Sequence, residues 1–377
     1  MRRDTIRPFL FGVLGVLLAY GGQRALRADA LGDAALLYGA GVLLFVAALR
    51  RFQPERVFAF PSAPLPELRD RRWPLAGALL AAALALAWLS WHSFDAGHPH
   101  STVAWWQHIA SVAFALAAAA SLDWRDPRTR RADSTEEIVS PSHPLTLSPS
   151  HVWLAAILLL AAILRLVWLD SLPFGVWYDE AEYGLQAQRI LNDPQFRPVF
   201  EGAINGPAHY LYLVALSFDW FGVSAASIRL VNVLFGVLTV LAGYFVGREL
   251  FDRRMGLVLA LLLAVSSWSI TLSRLGMHST STTPFFTLAT LAFLLAGLRT
   301  GRLLHFALAG LWLGLGLNFY TSFRLFVPVV GLFLLYSAFY QWRSTRALPA
   351  RRFWLGCLAL AVVAALAIAP LVWFALA

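Results

Sequence analysis

Apolar runs of roughly 18 to 20 residues recur along the chain between short polar segments, each long enough to cross about 30 Å of hydrocarbon as a helix. They lie at about 8–22, 31–49, 74–91, 102–121, 152–169, 230–247, 255–272, 283–298, 303–318, 325–341 and 353–377. Runs of this length specify spanning helices and not the short strands of a barrel. The pattern predicts an all-α polytopic membrane protein with about 11 transmembrane helices. Residues 207–221, PAHYLYLVALSFDWF, are apolar but short, and they carry His209 and Asp219. They suit a short span or a helix lying in the membrane interface. The N-terminal MRRDTIRPFLFGVLGVLLAYGG has the shape of a signal peptide. Two Arg residues in the would-be cleavage region, and a second span directly after, favour a first transmembrane helix.

Composition strengthens the membrane reading: 59% of the 377 residues are hydrophobic, 14% are charged, and the mean hydropathy is +0.65. The net charge of +9 comes from 30 basic residues that are all Arg, most of them in short segments between apolar runs. Such placement carries topology and not a nucleic-acid footprint. The single Cys357 excludes an intrachain disulfide and a cysteine-based metal site within this sequence.

Arg placement also resolves residues 207–221. If they do not cross and the N-terminus is cytoplasmic, 22 Arg lie in inside segments, seven lie outside, and Arg165 lies within a span. If they cross, the nine Arg from 248 onward flip outward, against the positive-inside rule. The interfacial reading therefore puts 170–229 on the non-cytoplasmic side of a plasma or inner membrane. Lengthwise, a charged and then Ser/Pro-rich cytoplasmic linker at 122–151, with SPSH occurring twice, separates a four-span N-terminal module, 1–121, from a seven-span module, 152–377.

Three outer segments hold most of the remaining polar chemistry: 170–229, 273–282 and 318–324. No acidic residue follows Asp252, so a carboxylate base in the second module must come from the first of these, where YDEAEY is densest. Asp179 and Glu182 have the spacing of a capping box at a helix start, and the spacing supports capping and chemistry equally. Adjacent on a helix, Asp179 and Glu180 point about 100° apart and do not converge on one atom. Arg274 and Arg324 suit either headgroup contact or charge-assisted phosphate binding. His209 and His278 read as interfacial polar residues, with no partner at metal-ligand spacing. Trp177, Tyr178, Trp220 and Tyr320 fit an aromatic belt.

Taken in order, YDEAEYGLQAQRIL, the run Phe221-Gly222, Arg229-Leu230, Leu234-Phe235-Gly236, Leu238-Thr239-Val240 to Tyr244, and SWSITLSRLGMHSTSTTPFF resemble membrane glycosyltransferases of the GT-C fold. The family 39 group, with protein O-mannosyltransferases, the aminoarabinose transferase of lipid A and related bacterial enzymes, is the most similar branch. The resemblance covers roughly 152–340. It implies a GT-C-like core with outer-face juxtamembrane helices, an Asp-Glu pair in the first outer loop, here Asp179-Glu180, and inversion at the anomeric carbon. Two departures stand out: Gly206-Pro207 where members often have Pro-Pro, and Met277-His278-Ser279 where many have an acidic residue. Members usually run longer, so the resemblance also implies that the core continues beyond Ala377.

On this reading the protein moves a sugar from a polyprenyl-phosphate-linked donor to a protein, lipid or polysaccharide acceptor at the outer face. Asp179 takes the acceptor proton, Glu180 assists or orients, and Arg274 and Arg324 hold the carrier phosphate. Asn205, His209, His278 and Tyr320 complete a substrate-binding set. No cofactor is required, since two arginines serve the phosphate, and a divalent metal is not excluded. The partners are lipids and the acceptor, not nucleic acid. The alternative is a transporter or flippase of lipid-linked glycans; such a protein should carry ionisable groups midway through its spans, and here those are nearly lacking.

Overall fold

The computed structural model describes residues 11, 14–15, 17–25, 30–50, 72–94, 101–123, 149–346 and 348–376. They fall into two compact units, 1–57 and 58–377. In the first, residues 17–25 are helical and are followed by α1, Leu31–Arg50. Tyr38 Oη donates to Gln23 Oε1 at 2.6 Å. A Cβ on Gly41 would come within 2.9 Å of the Gly15 carbonyl, so the small residue allows the backbones to approach. Part of the expected first span and nearly all of the 122–151 linker lie outside the described residues.

The second unit opens with a helical pair, α2 (Trp73–Ser93) and α3 (Thr102–Asp123), joined where Ser90 Oγ donates to the Ala104 carbonyl at 2.8 Å. After α4 (Pro149–Leu166) come α5 (Tyr178–Asn192), a two-residue hairpin of β1 (Phe200–Glu201) antiparallel to β2 (Gly206–Pro207), and α6 (His209–Phe221). The long α7 (Ala225–Leu250) follows, then α8 (Arg253–Val265) and α9 (Ser267–Ser273). The chain continues through α10 (His278–Thr300), α11 (Leu303–Leu317), a 3-10 turn (Thr321–Leu325), α12 (Phe326–Thr345) and α13 (Arg351–Leu376).

Side-chain caps set several starts: Ser224 Oγ accepts from the Ser227 amide at 3.1 Å, and Asp252 Oδ1 from the Met255 amide at 2.9 Å. Asp123 caps α11 from a distance, accepting from the Leu304 amide at 2.7 Å. Around that joint Ala83, Ala115 and Ala119 of the first helical pair pack on Leu303, Ala307, Val363 and Leu366 of α11 and α13.

This is an all-α polytopic membrane protein. Among the described residues six helices, α2, α3, α7, α10, α12 with its preceding turn, and α13, are long and apolar enough to cross a membrane. The α8–α9 pair, bent by 60°, is a seventh, and α1, α4 and α11 hold shorter apolar stretches where further spans were expected. Residues 209–221 form a 13-residue helix, too short to cross about 30 Å upright. The largest core cluster includes Tyr210, Phe235, Phe285, Phe286, Phe319 and Phe323.

The 255–272 run was expected as one straight span; instead it breaks at Ser266, whose hydroxyl caps α9. A break orphans carbonyls that lipid cannot satisfy. The fully buried Arg165 supplies the donors, reaching the carbonyls of Leu263 and Ala264 at 3.2 and 3.1 Å and Ser269 Oγ at 2.9 Å. Gly236 makes room for it: a Cβ there would lie 3.0 Å from Arg165 Nε.

Candidate active site

The first turn of α5 is built differently from the capping box expected. Trp177 is the N-cap, and Glu180, not Glu182, is the third helical residue; its Oε2 accepts from the Trp177 amide at 3.1 Å. An indole offers no acceptor, so only this half of the box forms. Glu182 instead accepts from Gln186 Nε2 at 2.7 Å, one turn along. The register differs because Glu180 has a tertiary partner that sequence spacing does not reveal.

That partner is Arg229 in the first turns of α7. Its Nε lies 2.7 Å from Glu180 Oε1 and its Nη2 lies 3.2 Å from Oε2, with both side chains 0% exposed. Charges this deep are tolerated only when every lone pair and proton is used. Glu180 meets the condition with four contacts, the fourth being the Gly276 amide at 3.1 Å. Arg229 Nη1 donates to the Leu169 carbonyl at 3.0 Å, and Nη2 also to that of Gly175. The Gly276 backbone comes this close because it has no side chain: a Cβ would run into Ile228 Cγ2 and lie 2.8 Å from Glu180 Cγ.

Three turns of chain are thereby fixed to α7. Asn232 Nδ2 donates to the carbonyls of Leu275 and Met277, the latter at 2.6 Å, and to Thr280 Oγ1 at 3.1 Å. Arg274 closes the end of α4, with Nη1 on the Leu164 carbonyl at 3.0 Å and Nη2 on those of Val167, Trp168 and Leu172 at 2.7 to 3.1 Å. Burial lowers its pKa, and the nearby Arg229 charge acts the same way.

On this platform Asp179 sits half-buried one residue before Glu180. Tyr183, one turn on, has its phenol pKa raised by burial first, then by Asp179 and by Tyr320. Tyr183 meets Tyr210 edge-on, with ring centroids 5.6 Å apart, and Tyr210 is raised by burial, by Tyr183 and by Glu180. Both phenols therefore stay protonated at neutral pH.

His209 adjoins Tyr210 and packs near Trp105 and Phe319, with centroids 6.1 and 6.2 Å away. Burial, with His108 second, lowers its pKa to about 4, against a hydrogen bond to the Asn318 backbone. It is a neutral imidazole near pH 7. Asn318 holds the loop after α11 by donating to the Gly314 and Ala367 carbonyls at 3.2 and 2.8 Å.

The predicted residues thus separate. Asp179 and Tyr320 act on one phenol, and His209 lies beside the neighbouring Phe319. Arg324 is exposed four residues beyond Tyr320 in the 3-10 turn. Arg274 lies beneath the loop with its terminal nitrogens taken by carbonyls. Asn205 is exposed in the hairpin turn at φ 47°, and its amide donates to the Gly202 carbonyl at 3.1 Å. Left-handed backbone of this kind suits Asn. His278 begins α10, and its side chain lies outside the described residues. Among the described residues no three His, Cys, Asp or Glu side chains gather as metal ligands would.

Tyr183, Tyr210, Arg229 and Asn232 escaped prediction. One signal existed for Arg229 and Asn232: a charged and an amide residue three apart at the start of an apolar span need buried partners.

With this geometry in hand, residues 205–373 match the family model of dolichyl-phosphate-mannose-protein mannosyltransferases. The match supports a GT-C, family 39-like reading of this segment. It supports a membrane glycosyltransferase that uses a lipid-linked sugar donor. The matched segment is a little under half of the chain and begins at Asn205, past the acidic loop; it runs further toward the C-terminus than the 152–340 resemblance. No curated protein and no solved structure matches the chain.

Proposed function

We propose that the protein transfers a sugar from a polyprenyl-phosphate carrier to an acceptor hydroxyl at the non-cytoplasmic membrane face, with inversion and with Asp179 as general base. The carrying observation is the contrast between two neighbouring carboxylates. Glu180 has its acceptor positions filled by Arg229, Gly276 and Trp177. Asp179 stands half-buried at the phenol cluster. Glu180 is therefore the positioning residue and Asp179 the one that meets substrate.

The acceptor oxygen attacks the anomeric carbon while the bond from that carbon to the carrier phosphate breaks. The acceptor proton passes to Asp179. The bonding pair leaves with the phosphate, whose growing charge is met by the exposed Arg324 and, from beneath the loop, by the field of Arg274. The buried, protonated Tyr183 and Tyr210 back the site, and the neutral His209 beside them adds a polar ring without adding charge. In this orientation the N-terminus is cytoplasmic, and the Arg-rich ends of α7, α10 and α12 face the cytoplasm of a plasma or inner membrane.

The test uses membranes that contain the protein, radiolabelled polyprenyl-phosphate sugars and an acceptor mixture. Asp179→Asn should lower transfer by about 10² to 10⁴, as loss of a general base does, with the thermal midpoint unchanged. Full transfer by Asp179→Asn removes Asp179 from the role. A reporter fused after Asn205 should read as non-cytoplasmic, and a cytoplasmic reading overturns the orientation.

A further inference from the structure

A second built region lies at the opposite end of the bundle, where the transferase reading assigns nothing. An apolar groove of about 450 Å³ runs between α7, α10 and α11, lined by Leu238, Phe245, Phe285, Ala292, Phe293 and Trp312 among others. That volume falls in the ordinary range of about 300 to 1,000 Å³ for lipid-sized and drug-sized ligands. Along α10 the lining extends from Phe285 to Arg299, or about 21 Å at 1.5 Å per helical residue. It is long, narrow and without an internal charge until its mouth.

The mouth is charged in a particular way. Glu249, 2% exposed, accepts from Arg248 Nη2 at 2.8 Å and from Arg299 Nε at 2.6 Å. One buried carboxylate thus holds two cations side by side, and these stay 37% and 54% exposed. The sum is one net positive charge. Arg302 lies exposed beside it, and the His305 ring at the lip is bonded through Nδ1 to Thr300 Oγ1 at 2.9 Å. A strip of hydrocarbon ending in a paired guanidinium fits a molecule with one apolar chain and an anionic head.

We infer that this groove is a binding site for an anionic phospholipid of the adjacent leaflet, with its phosphate on Arg248 and Arg299 and one acyl chain along the α7–α10–α11 groove. The donor carrier does not fit it. Its phosphate must reach Asp179, whereas Glu249 lies twenty residues along α7 from Arg229, about 30 Å away. The site stands whether or not the transferase reading does.

Native mass spectrometry of the full chain in a neutral detergent tests this with phosphatidylglycerol and phosphatidylcholine of identical chains. Each arginine near an anionic headgroup favours binding by about fivefold, so phosphatidylglycerol should bind at several-fold lower concentration. The charge-neutral triple variant Arg248→Gln/Glu249→Gln/Arg299→Gln should lose that preference, and Ala292→Trp should weaken both lipids by narrowing the groove. Equal binding of the two lipids by the native chain overturns the proposal, and this comparison stands even if the variants do not fold. Displacement of bound phosphatidylglycerol by equimolar polyprenyl phosphate also overturns it, by giving the groove to the carrier.

Discussion

Two carboxylate–arginine joints anchor α7 at its opposite ends, Glu180 of α5 on Arg229 and Glu249 on Arg248 and on Arg299 of α10, and they are built on different terms. Glu180 and Arg229 are both 0% exposed, and they spend their polar atoms on each other and on backbone groups of two loops, 167–177 and 274–277. Glu249 is nearly as hidden, yet its arginines remain about half in the open. The first joint has nothing left for a ligand and fixes geometry; the second keeps guanidinium surface available. A buried acid near a candidate site is therefore not the reacting one by virtue of its burial. The half-buried neighbour, Asp179, has the freedom that a base needs.

The comparison is most exposed to a change at the sealed joint. Glu180→Ala leaves Arg229 charged and alone, and breaking a buried pair costs about 3 to 5 kcal/mol; thermal unfolding should show it, with Glu180→Ala/Arg229→Met losing well under the sum of the single changes. Gly276→Ala presses a methyl onto Ile228 and Glu180, and overpacking of this kind costs about 1 to 3 kcal/mol. Transfer activity should fall along with stability in that variant, since Asp179 shares the turn. At the open joint, Arg299→Gln should cost only about 1 kcal/mol, the scale of a partly solvated ion pair. If it proves as damaging as Glu180→Ala, the two joints are alike and the contrast fails.

The smallest effect is on pH dependence. Unfolded, the His209 imidazole takes a proton near 6.5, whereas folded it resists until about 4. The unfolded chain thus binds the extra proton first, and stability present above pH 6.5 is lost progressively down to pH 4. His209→Asn should shrink the drop in melting temperature between pH 7.5 and 5 by a few degrees. An undiminished drop would mean that His209 is solvated.

The spans were readable because about 30 Å of hydrocarbon demands an unbroken apolar helix, and that demand appears residue by residue. That 209–221 is too short for an upright span was also readable, from its length alone. The three polar segments singled out in the sequence do meet, through Glu180 with Gly276 and Tyr183 with Tyr320. The sequence could not show where polar groups find partners far along the chain. Asp179 and Glu182 had the better capping spacing, and a contact 49 residues distant gave the position to Glu180. Arg274, read as a phosphate ligand or a headgroup contact, and Arg165 both close helix ends, a need that arises only once α4 stops and α8 breaks. Tyr183 and Tyr210 were given no reading from the sequence, because their edge-to-edge meeting is made by packing between α5 and α6.

The Glu180 joint also sets an order in time. Its arginine is made 49 residues after it and its glycine 96 residues after it. At about 5 to 20 residues per second, a ribosome needs on the order of five to twenty seconds to supply both. Until then Glu180 lacks part of the frame that holds it in the finished fold. The turn that carries Asp179 is thus completed late in biosynthesis, only after α9 has been made. A chain cut short before Gly276 carries Asp179 but not the frame that aims it.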